Sequence, residues 1–246
     1  MSRTVAIIQC RTGSTRLPEK SLRNLEGAPM IEHIIKRVRA AGVFDEVLLA
    51  IPDTPSEKKL ESLANRLEIP CVKGPEEDVL QRFILAAESV QADHVLRVCG
   101  DNPLIDLEIM KELAREHQSS ASDYTIPADP IPLGTGSEMV RLQALKTIET
   151  QTGEPQYREH VTTWFQDHSE DFRITRLPAP WYLRNIHLRL TVDTEKDFEL
   201  IALIYGKFYH SPDSIVNLEE VVHFLARHPE IARHNADISQ KNWRIQ

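Results

Sequence analysis

Between residues 4 and 98, short apolar runs alternate strictly with segments of helical period, and this alternation limits the fold more than any other property of the chain. Residues 4–10, with Val5-Ala6-Ile7-Ile8 at their centre, read as a buried strand. Pro29 to Ala41 reads as a helix, because Ile31, Ile34, Ile35 and Val38 share one face while Glu32, Lys36 and Arg39 take the other. The same logic makes Val47 to Ile51 a strand, Glu57 to Leu67 a helix and Cys71 to Lys73 a short strand. Asp78 to Val90 is a third helix, with Val79, Phe83 and Val90 at helical spacing, and His94 to Val98 is a strand that runs into Gly100-Asp101. A β-α-β-α-β order implies a mostly parallel sheet with helices on both faces and a ligand crevice at the carboxyl ends of its strands. The 246 residues suffice for one such domain with an excursion.

Beyond residue 120 the pattern loosens, and Pro127, Pro130, Pro132, Gly134 and Gly136 predict a loop or arm. A strand over Ser137 to Val140 and a helix over Leu142 to Glu149 follow, then a helix over Tyr157 to Phe165. Phe172 to Leu177 and Ile186 to Val192 read as strands, the second ending at Asp193-Thr194. Helices over Glu195 to Tyr209 and Leu218 to Arg227 precede a polar tail. The resulting organisation is a single domain, 1–246, with a nucleotide-binding half (1–120), an excursion (121–185) and a return strand with C-terminal helices (186–246).

The segment Cys10 to Lys20, C-R-T-G-S-T-R-L-P-E-K, follows the first strand directly. Gly13 is expected to let the backbone bend and approach a ligand, so that successive N–H groups, including those of Thr12 and Ser14, point at phosphate oxygens; Arg11, Arg16 and Lys20 add full charges. The spacing matches neither the P-loop nor the dinucleotide fingerprint, so a different polyphosphate cradle is implied, the alternative being a solvated basic turn. The net charge of −8 becomes −12 once Arg11, Arg16, Lys20 and Arg23 are set aside, which describes a cationic site on an acidic body. That balance favours a small polyanion over nucleic acid, whose binding needs many cations along an extended surface.

Carboxylates at other strand ends complete the pattern. Asp101 sits in R-V-C-G-D-N-P-L-I-D, where Gly100 permits a tight turn and Pro103 stops the strand. Magnesium needs only one or two carboxylates when a nucleotide supplies further oxygens, so Asp101 is a candidate ligand. Asp193 is either the second ligand or the cap of the helix that follows; Asp106 reads as an N-cap. Asp78 starts a helix on which Arg82 either reaches the crevice or faces solvent. His160 and Arg158 are candidates for the substrate pocket, and the ten histidines form no zinc pattern. Cys10, Cys71 and Cys99 are odd in number and far apart, and read as reduced packing residues. No run of a length to cross a bilayer occurs and the N-terminal apolar run is short, so the expected location is cytoplasmic, without membrane partners.

Six motifs in order carry a resemblance: R-T-G-S-T-R-L-P-E-K (Arg11 to Lys20), P-M-I-E-H (Pro29 to His33), E-D-V-L-Q-R-F (Glu77 to Phe83), G-D-N-P-L-I-D (Gly100 to Asp106), R-E-H-V-T (Arg158 to Thr162) and R-L-T-V-D-T (Arg189 to Thr194). Over nearly its whole length the chain resembles the cytidylyltransferases that activate sugar acids as CMP derivatives, and among them the SpsF-type spore-coat polysaccharide biosynthesis proteins. The resemblance implies a nucleotide-diphospho-sugar transferase fold, CTP as donor, magnesium on Asp101 and Asp193, and a triphosphate gripped by Arg11, Gly13, Ser14, Arg16 and Lys20, with Arg82 close by. It also implies a homodimer formed through roughly residues 130 to 185. Two departures stand out: Glu19, where the family commonly has Gly, and Asn102, where relatives often carry Cys. Two other readings are a glycosyltransferase that uses a preformed nucleotide sugar and a silent nucleotide-binding protein.

Overall fold

The structure, a computed structural model, describes residues 2–240; Met1 and the end of the polar tail, 241–246, lie outside it. Strand β1 (Thr4–Gln9) is followed by a ribbon of β2 (Asn24–Leu25) and β3 (Ala28–Pro29) that feeds helix α1 (Met30–Ala41). Then come β4 (Glu46–Pro52), α2 (Lys58–Arg66), β5 (Cys71–Gly74), α3 (Val79–Ser89), β6 (His94–Cys99) and α4 (Leu107–Ser119). The second half holds β7 (Tyr124–Pro127), β8 (Glu138–Arg141), α5 (Leu142–Gln151), α6 (Pro155–Glu159), α7 (Thr163–Asp167), β9 (Ile174–Leu177), α8 (Glu195–Phe208), α9 (Leu218–Arg227) and α10 (Pro229–Ala232).

Seven strands form one sheet in the order β5-β4-β1-β6-β8-β7-β9, and β8 alone runs against the others. Alternation along the strands divides the core in two. Ala6, Ile8, Leu49, Ile51, Leu96 and Val98 face α1, α2, α4, α8 and α9, while Val5, Ile7, Leu48, Ala50 and Val95 face α3, α5 and α7. A one-residue slip would exchange the two sets, so burial on both faces pins the register. Each of the valine, leucine and isoleucine side chains among them contributes about 1.5 to 3 kcal/mol on burial.

Helix starts follow local chemistry. Asp78 accepts the Gln81 N–H at 2.9 Å to cap α3, Asp106 accepts the Ile109 N–H at 2.8 Å to cap α4, and Thr194 with Asp197 forms a capping box on α8. The expected cap role of Asp106 therefore holds, and the cap of α8 is Thr194 rather than Asp193.

Three expectations need correction. Strand β7 lies where a loop was expected; its four residues end in Pro127 beside further prolines, too short a run for periodicity to register. The expected helix over Tyr157 to Phe165 is two short helices parted at residues 160–162, where consecutive β-branched Val161, Thr162 and Thr163 disfavour helix. Ile186 to Val192 is not a regular strand: it makes one isolated bridge, Leu133 to Arg189. Its neighbour carries Pro130 and Pro132, which lack the N–H groups of a continuous ladder, so pairing reduces to Leu133 N to Leu188 O at 2.9 Å and Leu190 N to Leu133 O at 2.7 Å. Gly134, at φ 96°, packs its Cα against this segment; a Cβ there would lie 2.5 Å from Thr191 N. The contact fixes the backbone that leads to Asp193.

Candidate active site

The carboxyl ends of β1 and β6 open onto a crevice of about 460 Å³ whose lining includes Arg11, Gly13, Ser14, Arg16, Lys20, Arg82, Gly100, Asp101, His160 and Asp193. The topology explains the convergence. Strands β1 and β6 are parallel neighbours, so their following loops emerge side by side. Gly100 N–H donates to Gln9 O at 2.8 Å, and a Cβ on Gly100 would lie 2.8 Å from that same oxygen, so glycine is required where the two strand ends meet.

The loop after β1 is organised about Thr12. Its carbonyl accepts Ser14 N–H at 2.8 Å and Glu19 N–H at 3.1 Å, closing the loop on itself. From below, the buried Glu57 carboxylate accepts Thr12 N–H at 3.1 Å and Thr12 Oγ1–H at 2.9 Å. The Thr12 N–H and hydroxyl are thus both directed to Glu57 and not to the crevice. Gly13 is the centre of a tight three-residue turn closed by Ser14 N–H on Thr12 O, whereas the left-handed residue of the loop is Glu19, at φ 52° and ψ 25°. A position of this kind favours glycine, the residue that the resemblance leads one to expect there. The Glu19 side chain turns outward to Lys59 Nζ at 2.6 Å, so it intrudes on neither Lys20 nor Arg16.

Opposite the loop lie the acids. Lys20 Nζ reaches Asp101 Oδ2 at 3.0 Å, Asp193 Oδ1 at 3.0 Å and Val192 O at 2.7 Å. Asp193 Oδ2 also meets Arg189 Nη2 at 2.8 Å and Arg16 Nη2 at 3.2 Å. Arg189 is gripped in turn by Asp197, fully buried, through Nε–H to Oδ1 at 2.8 Å, and Asn235 donates to the same oxygen at 2.7 Å. Asp197 Oδ2 accepts the N–H groups of Asp193 at 3.0 Å and Thr194 at 2.9 Å. Burial opposes ionisation of Asp193, but Lys20, Arg16 and Arg189 outweigh it and hold the carboxyl below its ordinary range. Burial likewise opposes the Lys20 charge and is outweighed by Asp101 and Asp193, so its pKa rises. Asp101 hydrogen-bonds through its carbonyl to Val192 N–H at 2.9 Å, which ties the two acid-bearing turns together.

Arg82 is buried and lines the crevice, donating through Nη1 to Pro75 O at 2.5 Å and Glu76 O at 2.7 Å; it is not a solvated surface group. Arg11 is half exposed, with Glu159 Oε1 at 3.9 Å. Arg158 is not brought to the crevice. It pairs with Asp78 through Nε–H to Oδ2 at 2.8 Å and lines a separate cavity of about 540 Å³, which corrects its expected role in the substrate pocket. His160, between α6 and α7, does line the crevice, and burial lowers its pKa. Cys10 is buried and its thiol is pushed up to about 12 by burial, whereas Cys99 is half-buried in the crevice wall rather than in the core.

Three residues of the site were not singled out in the sequence, Glu57, Arg97 and Asp197, and Arg189 stood only as the first letter of a motif. Arg97, inside a strand sequence, points into the crevice and is paired with Glu138 at 3.0 Å, leaving its Nε buried without a partner among the described residues. Glu138 is further bound by Tyr124 OH at 2.6 Å and Thr162 Oγ1 at 2.8 Å. The one available hint was the alternation itself, which puts Arg97 and Cys99 on the same face of β6, and both line the crevice.

An ammonium nitrogen held at once by two carboxylates and a carbonyl marks a point where hard oxygen donors favour a cation, and this donor set suits magnesium. Asp101 and Asp193 fit such an ion. A cationic loop across from two converging aspartates, on this mostly parallel sheet, is an arrangement suited to a nucleotidyltransferase. The family model described as Cytidylyltransferase matches residues 5–225, and the chain belongs to that family. It is 35% identical over 237 residues, 94% of this chain and 98% of the relative, to spore coat polysaccharide biosynthesis protein SpsF of Bacillus subtilis. It is 27% identical over 192 residues, covering 76% of this chain and 73% of the relative, to 3-deoxy-manno-octulosonate cytidylyltransferase of Idiomarina loihiensis. Among solved structures, a cytidylyltransferase from Leptospira borgpetersenii shares the fold with a TM-score of 0.86 at 21% identity, over 98% of this chain and 100% of that one. Among the described residues no helix is long and apolar enough to cross a membrane.

Proposed function

We propose that the protein transfers CMP from CTP to a sugar acid or a phosphorylated small molecule, with magnesium bound and pyrophosphate released, in the synthesis of surface polysaccharide or glycoconjugate precursors. The observation that carries this reading is the convergence of Lys20, Arg16, Asp101 and Asp193 at one end of a crevice that also contains Arg11 and Arg82. A triphosphate would bring the negative charge needed to draw Arg16 and Lys20 away from the aspartates they pair with in the free protein. A diphosphate sugar donor would leave part of the set without a partner, so the glycosyltransferase reading is less favoured. The buttressed aspartates likewise favour catalysis over a silent nucleotide-binding role.

In this reading Arg11, Gly13, Ser14, Arg16 and Lys20 hold the β- and γ-phosphates and stabilise the charge that develops on pyrophosphate as it leaves. Asp101 and Asp193 would hold magnesium, which when bound would supply Lewis-acid polarisation of the α-phosphoryl group. The acceptor oxygen attacks the α-phosphorus, with its sugar oriented by His160 and by Arg97 on the crevice floor; the protein works mainly by positioning. The relatives' names, one a polysaccharide biosynthesis protein and one an octulosonate cytidylyltransferase, support the acceptor class. The enzyme acts in the cytoplasm as a homodimer joined through the excursion, an assignment that sedimentation of the intact protein tests. Pyrophosphate release measured with four nucleotides against sugar acids and sugar phosphates tests the reaction. Release with CTP and one acceptor class is expected; turnover with nucleotide sugars instead would replace the assignment.

A further inference from the structure

We infer that Lys20 is a latch: its ammonium group closes the aspartate pair of the free protein and passes to phosphate only when cation and nucleotide bind together. The inference rests on the reading of the crevice as a metal–nucleotide site and adds how that site is gated.

Proton counting carries it. A lysine ammonium has three N–H donors and no acceptor. Here it meets three acceptors, Asp101 Oδ2 at 3.0 Å, Asp193 Oδ1 at 3.0 Å and Val192 O at 2.7 Å, so no donor remains for a phosphate oxygen. Asp193 is equally committed, with Oδ1 on Lys20 and Oδ2 on Arg16 and Arg189. A divalent ion on Asp101 and Asp193 would share their oxygens with an ammonium at hydrogen-bond distance, and the two like charges exclude each other there. Lys20 therefore either binds the acids or grips the triphosphate.

The geometry also lets it move. Lys20 opens a short 3₁₀ turn directly after the left-handed Glu19, its side chain is a flexible four-carbon stem, and Arg16 on the same loop is about one-third exposed. Arg189, by contrast, is anchored by Asp197 and stays with Asp193. A cation arriving alone displaces Lys20 into a crevice with no phosphate to receive it. A nucleotide arriving alone draws Lys20 from Asp101, which is left without a counter-charge, while Asp193 keeps Arg189. Arriving together, each supplies what the other's binding removes, so the two bind cooperatively.

The test titrates Mn2+, read as loss of the free-ion paramagnetic resonance signal, into the full chain and into Lys20→Met, each with and without α,β-methylene-CTP. The expected results are Mn2+ binding without nucleotide at least about tenfold tighter in Lys20→Met than in the parent, and a nucleotide-induced tightening about fivefold smaller in the variant. Equal Mn2+ affinity of the two proteins without nucleotide overturns the latch. In the parent alone, which requires no variant to fold, Mn2+ affinity unchanged by the analogue overturns it as well. Asp101→Asn separates the levels: if Mn2+ with analogue binds the parent and is lost in Asp101→Asn while Lys20→Met shows no gain, only the latch fails. If Asp101→Asn leaves Mn2+ binding untouched, the metal reading of the aspartates fails with it.

Discussion

The phosphate loop and the aspartate pair face each other across a few ångströms and are supported in opposite ways. The loop is held through its backbone: Thr12 is the hub, Glu57 fixes it from below, and the cations Arg11 and Arg16 stay partly exposed. The acid side is held through side chains, Asp193 by Arg189, Arg189 by Asp197, and Asp197 by Asn235 and two N–H groups. A surface that must exchange ligands keeps mobile side chains on a fixed backbone, whereas one that must present charge at a fixed point spends buried hydrogen bonds on each carboxylate.

That contrast is open to attack at several points. The largest effect is expected for Asp193→Asn, which removes a charge that three cations share; CMP transfer should fall at least about a thousandfold in a protein that still folds, with a melting temperature lowered by the stability that this carboxylate contributes. Preserved turnover would take Asp193 out of the chemistry. Next is Asp197→Asn, which leaves Arg189 without its buried counter-charge: a loss of about 3 kcal/mol is expected, read as a fall of roughly 6 to 12 °C in Tm. Its pH signature is specific. Burial opposes ionisation of both Asp193 and Asp197, yet their partners hold both carboxyls below the ordinary range, so the unfolded chain takes up protons first as pH falls. Stability from this pair is present above about pH 4 and drains away below it as pH falls through the depressed values. In Asp197→Asn the acid limb of a plot of denaturation midpoint against pH should be shallower.

On the loop side the effects should be smaller and kinetic. Glu57→Ala frees the Thr12 N–H and hydroxyl, and a loss of about tenfold in kcat/KM for CTP is expected, carried by KM. A purely thermal effect with unchanged KM would show that the backbone hub does not position nucleotide. The smallest change is expected for Glu19→Gly. Relief of a left-handed non-glycine residue, about 1 kcal/mol, is set against an exposed ion pair and glycine's extra chain entropy, so Tm should stay within about 2 °C and activity unchanged.

The two regions were not equally legible in the sequence. Period and spacing located the parallel half of the sheet, the loop after β1 and the turn at Asp101, because each lies within a few residues of the pattern that reveals it. Asp193 stood between cap and ligand until Thr194 proved to be the cap. Glu57 was read as the first residue of a helix because its partner is 45 positions away, and Asp197 hid among the charges of a helix start. Arg158 erred in the other direction: a cation in a motif was read toward substrate, while Asp78, 80 positions earlier, holds it in place. Backbone conformation was only partly legible: the turn at Gly13 was expected, but nothing in L-P-E-K says that Glu19 adopts a left-handed conformation.

The central claim is that the aspartate pair and the cationic loop together perform magnesium-dependent CMP transfer. Pyrophosphate release from CTP, followed in the parent and in Asp101→Asn across a panel of sugar acids and sugar phosphates, tests it most directly. The expected result is acceptor-dependent release by the parent that vanishes in a folded Asp101→Asn protein; near-normal release by that variant would contradict the account.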